Sequence, residues 1–236
     1  MSRDADPQKL TTEVKTALDA LYGHYVETYE EWRRQGVDVP PVFIVVCSNT
    51  SVSSAVRDYI AGYEVEDEAG LMRHQRGALE LLRNQDDSGD PLERPRTILI
   101  DSAALESGGA VDKAFRDAHA SEIEAFRRER IERGDGADDM SETELLREVM
   151  NTVGTAGRLG GQVRCVVSVS MLTEGWDANN VTHILGLRAF GSRLLCEQVM
   201  GRALRRMSYE TDPETDAFDA VGPELNSPAA RRAAGA

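Results

Sequence analysis

The stretch Gln198-Val199-Met200-Gly201-Arg202-Ala203-Leu204-Arg205-Arg206 concentrates more potential chemistry than any other part of the chain. On a helix, Arg202 and Arg205 project from one face, with Gln198 one turn ahead of Arg202. Two planar, permanently charged guanidinium groups on one face suit the oxygens of a phosphate chain. Gly201 weakens such a helix by about 1 kcal/mol relative to alanine, but it leaves a gap through which a nucleotide or another backbone can approach. A second cluster, Thr173-Glu174-Gly175-Trp176-Asp177, pairs a small residue with a carboxylate able to accept from a ribose hydroxyl or an arginine. Taken alone, this second cluster reads as an ordinary turn. The plain alternative for the first is a solvated basic helix turn.

The elements that must hold these residues follow from hydrophobic periodicity. Leu10, Val14, Leu18, Leu21, Tyr25, Tyr29 and Trp32 recur at spacings of three and four, which predicts a long amphipathic helix ended by Gly36 and Pro40-Pro41. Val42–Cys47 is a continuous apolar run rich in β-branched residues, the pattern of a strand buried on both faces. Ser48-Asn49-Thr50 offers helix caps, and Val52–Ile60 then reads as a helix closed by Gly62. Thr97–Asp101, Val163–Val169 and Val181–Leu187 are three further strand candidates. Helices are expected from about Val111 to Arg133, over Glu142–Val153 behind a Ser141/Glu144 capping box, and over Ser192–Arg206. Glu64–Glu68 reads as an acidic run, Asp86–Pro91 as a loop, and Gly154–Gly161 as a flexible connector. Ala78–Leu82 fits a short strand or a helical turn. Strands alternating with helices argue for a parallel α/β sheet, whose ligands bind beyond the carboxyl ends of the strands. The Thr173–Asp177 cluster directly follows the strand Val163–Val169 and so falls there.

In this order, the two clusters resemble motifs V and VI of superfamily-two helicases, and Val42–Thr50 resembles the strand and loop of motif IV. The likeness is closest to the helicase subunit of type III restriction endonucleases and related restriction-system helicases. Two runs carry most of it, Ser168-Val-Ser-Met-Leu-Thr-Glu-Gly-Trp-Asp177 and Leu195-Cys-Glu-Gln-Val-Met-Gly-Arg-Ala-Leu-Arg-Arg206. Pro41–Thr50, Thr97–Gly108 and Glu142–Gly154 add to it, and the whole spans Pro40 to Tyr209.

The resemblance implies a RecA-like three-layer α/β domain with a mostly parallel central sheet over residues 41–209, including a helical insertion. A helical segment would precede it over residues 1–40, and an acidic, then low-complexity and disordered tail would follow over residues 210–236. It further implies the second of two motor domains. ATP and Mg²⁺ would be bound mainly by a first RecA-like domain, missing here, with no metal or cofactor held tightly by this chain. Arg202 and Arg205 would be arginine fingers, with Gln198, Gly175, Asp177 and Gly201 on the nucleotide side. Ser48, Asn49, Thr50, Ser170 and Thr173 would lie near the DNA backbone. The implied partners are the first RecA-like domain, double-stranded DNA and, in type III systems, a methyltransferase subunit.

Subtraction sharpens the expectation. No G-x-x-x-x-G-K-[ST] occurs, and no Walker B acidic pair closes a buried strand. Glu13-Val14-Lys15 has the local spacing of a nuclease motif but lies on the first predicted helix. The isolated chain is therefore expected neither to hydrolyse ATP nor to cut DNA. Two alternatives are a non-catalytic RecA-like protein-interaction module and the motor domain of a DNA-repair helicase. With 41 acidic against 27 basic residues, the net charge of −14 does not advertise nucleic-acid binding and leans toward the first alternative. A local exception runs from Gly160 to Arg206, where six arginines face three acids. The three cysteines follow no metal-ligand spacing, and Cys47 and Cys165 read as reduced, buried thiols. No apolar stretch reaches the roughly 20 residues of a membrane span, so a cytoplasmic protein without a membrane partner is expected.

Overall fold

The computed structural model describes residues 7, 10–66, 70–101, 120–132, 134, 142–169, 178 and 180–187. At its centre lies β1 (Val42–Cys47), all six residues of which are buried. β5 (Cys165–Val169) and β6 (Val181–Leu187) flank it, and β4 (Thr97–Asp101) pairs with the far side of β5. The spatial order is β4-β5-β1-β6, and every pairing in this four-stranded sheet is parallel. The sheet has helices on both faces, as a wholly parallel sheet requires.

Strand alternation sorts the apolar side chains between two cores. Phe43, Val45, Cys47, Leu99, Cys165 and Val167 face one way, against Leu18 and Tyr25 of α1 (Thr12–Gln35) and Val56 and Ile60 of α2 (Thr50–Ala61). Val42, Ile44, Val46, Ile98, Ile100 and Val166 face the other way. That second core is completed by Phe126 of α3 (Ala120–Glu132) and by Leu145, Leu146, Val149 and Met150 of α4 (Glu142–Asn151). An Arg130–Glu148 ion pair ties α3 to α4. Two helical layers thus enclose a parallel sheet, in the three-layer α/β arrangement expected.

The first helix follows its predicted stripe. Thr11 caps it by accepting from the Val14 N–H at 3.5 Å, and Gly36, at φ 73°, closes it by donating to the Trp32 and Arg33 carbonyls. Leu18, Tyr25 and Trp32 are buried, and the Tyr25 ring lies 6.3 Å from Phe43 and 5.8 Å from His183 of β6. The pairing of β1 with β6 slips once. Val42 matches Val181 while Phe43 matches His183, so Thr182 is an extra residue.

Two segments differ from expectation, and the structure decides a third. Glu64–Glu66 of the acidic run lie in an antiparallel hairpin, β2 (Gly62–Glu66) with β3 (Met72–Arg76), in which Glu64 stands opposite His74 with their side chains 3.5 Å apart. Of the two readings of Ala78–Leu82 the helical turn holds, as a 3₁₀ turn over Glu80–Leu82 with Leu79 and Leu82 buried. The connector Gly154–Gly161 is closely packed at its end, since a Cβ on Gly160 would stand 2.2 Å from the Val149 carbonyl oxygen. The Thr152 hydroxyl also accepts from the Gly160 N–H at 2.9 Å. The helix expected from about Val111 is described from Ala120; residues 102–119 and Ser141 lie outside the described residues.

Candidate functional site

All four parallel strands end in one row. Cys47 is in register with both Val169 and Leu187, and Val169 with Asp101. The carboxyl edge of the sheet is therefore flush, and the chain leaves it at residues 48, 102, 170 and 188. From β1 it enters α2 on one face, whereas from β4 it goes on to α3 on the opposite face. β5 lies between those two strands. Where neighbouring connections diverge to opposite faces, a crevice opens beyond the strand ends, and ligands of open α/β sheets bind there. The carboxyl end of β5, Val169, stands at that divergence, one residue ahead of Ser170.

Among the sequence-predicted residues, the structure describes Ser48, Asn49 and Thr50, and all three are exposed on this edge. Asn49 is the cap of α2: its Oδ1 accepts from the Val52 N–H at 2.9 Å, and its Nδ2 donates to Ser48 Oγ at 3.2 Å. The cap satisfies one of the first-turn amides of α2, and the helix dipole adds partial positive charge at the same place. The rim thus presents hydroxyls and backbone N–H groups, a donor set suited to phosphate oxygens. Ser170, Thr173, Gly175, Asp177, Gln198, Gly201, Arg202 and Arg205 lie outside the described residues.

No family model, curated protein or solved structure matches this chain. Fold and site chemistry carry the functional argument.

Nucleophilic thiol chemistry finds no support at this edge. Cys47 is a free, buried thiol whose pKa burial pushes up to about 12, and burial likewise raises that of Cys165. Both thiols stay protonated at neutral pH and serve as apolar packing. Among the described residues, no three His, Cys, Asp or Glu side chains group as a metal site would require. No described helix is long and apolar enough to cross a membrane. Glu13 and Lys15 sit in the first turns of α1, away from any core strand.

Several residues gain roles that their sequence context did not show. Arg164, counted with the basic stretch that runs to Arg206, lies just ahead of β5, at the amino-terminal edge of the sheet. Its guanidinium stands 4.7 Å from the Tyr29 ring centroid, and its Nη1 donates to the Leu81 carbonyl at 3.0 Å. Asn84 accepts from the Arg96 and Thr97 N–H groups and donates to the Thr97 carbonyl, each at 2.8 Å, which fixes the start of β4. Asn180, 1% exposed, donates to the Pro40 carbonyl at 2.7 Å, and its own carbonyl accepts from the Val42 N–H at 2.9 Å. An Asn in a polar stretch ahead of an apolar run was the available signal for both; nothing in the sequence says which backbone groups they serve.

Proposed function

We propose that this chain is the second motor domain of an ATP-dependent DNA helicase or translocase of a restriction-modification system, nearest in its motifs to the type III kind. The observation that carries the proposal is the flush carboxyl edge of a parallel sheet whose outgoing helices diverge around β5. It supports a ligand crevice at Val169, from which the segment bearing Ser170, Thr173, Gly175 and Asp177 departs.

In this reading Arg202 and Arg205 reach toward the γ-phosphate of an ATP held by a partner RecA-like domain. Their charge offsets the negative charge on the transferring phosphoryl oxygens as the bond to the leaving group weakens. Gln198 orients the fingers, and Gly175, Gly201 and Asp177 line the nucleotide side. The hydroxyls of Ser48, Thr50, Ser170 and Thr173 and the Asn49 amide meet the DNA backbone, contacts that set position without reading sequence. At Ser48–Thr50 the described rim offers hydroxyl and amide donors, which fits phosphate contact, and in this reading Mg²⁺ is held by the partner domain.

The decisive experiment joins this chain to a P-loop ATPase domain of a restriction-type motor and measures DNA-stimulated ATP turnover. Arg202→Ala and Arg205→Ala each lower kcat by about 10³ to 10⁵, the scale of an arginine finger, with the thermal midpoint unchanged. Unaltered turnover in both variants removes the finger assignment. ATP hydrolysis by the purified chain alone removes the half-motor reading.

A further inference from the structure

The opposite, amino-terminal edge of the sheet contains a cavity that the proposed motor chemistry leaves unused. About 110 Å³ in size, it opens between the end of α1 and the segment leading into β5. Trp32, Pro40 and Pro41 form its apolar wall, and Tyr29, Gln162 and Arg164 line it as well. The volume is well below the roughly 300 Å³ at which drug-sized ligand sites begin, so it suits a charged head group with a short body.

The charge arrangement is unusual for so acidic a chain. Arg33, Arg34, Arg57, Arg76, Arg94 and Arg130 each lie within 4.0 Å of a carboxylate. Arg164 forms no such pair among the described residues. Its Nη1 is spent on the Leu81 carbonyl, its face lies on Tyr29, and its Nε is buried without a hydrogen-bond partner. Arg96 is brought beside it, since the Arg164 N–H donates to the Arg96 carbonyl at 2.7 Å. Burial, and after it the charge of Arg164, lower the pKa of Arg96. The charge of Asp87 partly offsets Arg96, whereas Arg164 has no ion pair among the described residues, and an anion beside Arg164 relieves the cost of two neighbouring, partly desolvated cations. The carboxylate on the cavity rim, Asp38, is exposed and makes no ion pair with either arginine.

The geometry points to a binding site for a small oxoanion carried on a short apolar or aromatic body, with the anion on Arg164 and the body against Trp32, Pro40 and Pro41. A planar guanidinium already braced by a ring and a carbonyl is pre-organised, so little rotamer freedom is lost on binding. The site lies at the far edge of the sheet from Ser48–Thr50 and stands independently of the motor proposal.

The test follows the indole N–H resonance of Trp32, one of two tryptophans in the chain, by NMR, assigned with Trp176→Phe. Phenyl phosphate, benzoate and inorganic phosphate are titrated separately against sodium chloride at matched ionic strength. Phenyl phosphate or benzoate shifts Trp32 saturably; which of the two binds more tightly identifies phosphate or carboxylate as the preferred head. Inorganic phosphate binds more weakly than phenyl phosphate, for want of a body. Arg164→Met weakens binding roughly tenfold or more, the scale of a lost charge-assisted hydrogen bond. Asp38→Asn tightens it and Gln162→Glu weakens it, and these exposed variants decide the matter if Arg164→Met fails to fold. An equal shift with sodium chloride, no saturable shift, or affinity indifferent to Asp38→Asn and Gln162→Glu overturns the site.

Discussion

The two edges of the central sheet are built on opposite principles. At the amino-terminal edge, buried side chains reach across to backbone groups of neighbouring connections: Tyr25 to the Pro41 carbonyl at 3.0 Å, Asn180 to Pro40, Asn84 to both sides of Thr97, and Arg164 to Leu81. At the carboxyl edge, Ser48, Asn49 and Thr50 are exposed and bond only locally. A connection whose polar groups are satisfied by buried side chains is fixed in place. One that keeps its hydroxyls and amides toward water retains donors for a ligand. Stability is concentrated at one end of the strands and, in the proposed function, recognition at the other, so substitutions at the two ends should separate those properties.

The largest effect on folding belongs to Asn84→Ala. It strands a buried and a partly buried N–H donor and a carbonyl at the start of β4, and stability falls by about 3 kcal/mol, at 1–3 kcal/mol for each buried group left unsatisfied. Urea unfolding of the variant measures this, and a loss no larger than that of a surface alanine substitution erases the contrast between the edges. Asn49→Ala removes only a helix cap and costs about 1 kcal/mol. Asn49→Asp keeps the cap and its stability while adding a negative charge to the rim, so it weakens DNA binding in a filter or anisotropy assay without moving the thermal midpoint. A loss of stability with unchanged DNA affinity would mark Asn49 as purely structural.

The smallest effect is a pH dependence. Burial, and after it the nearby His24, hold the His183 pKa below the ordinary histidine value, within a ring cluster formed with Tyr25 and Phe43. Unfolded chains therefore bind more protons than folded ones near pH 6.5, and stability falls as pH drops through that value toward the folded pKa. His183→Gln should flatten the change in urea midpoint between pH 7 and pH 5. An unchanged slope assigns the acid sensitivity elsewhere.

Much of the scaffold was legible because burial leaves a compositional trace. β1, β4 and β6 have the predicted bounds, each rich in apolar and β-branched residues. α1 followed from its stripe and from Gly36. The β2–β3 hairpin was not legible, since Glu64, Arg73, His74, Gln75 and Arg76 are exposed and leave no alternation to read. Backbone pairing makes it a ribbon, and backbone pairing is blind to composition. Arg164 misled for a related reason: charge counted along a sequence does not say toward which end of a strand a side chain falls. Ser48–Thr50 fall between β1 and α2, as the order of strand, polar turn and helix in the sequence implied. The roles of Arg202 and Arg205 rest on their spacing and on the resemblance, and both residues lie outside the described residues.

The slip beside Thr182 gives β6 one residue of slack. Because Val42 meets Val181 and Phe43 meets His183, shortening the strand by Thr182 would leave every later side chain pointing as it does now. Shortening it after His183 would instead invert the sidedness of all that follows, Leu187 included. The fold has thus set aside a single position where chain length can vary without consequence for the strand's far end, the end that leads on toward the arginines.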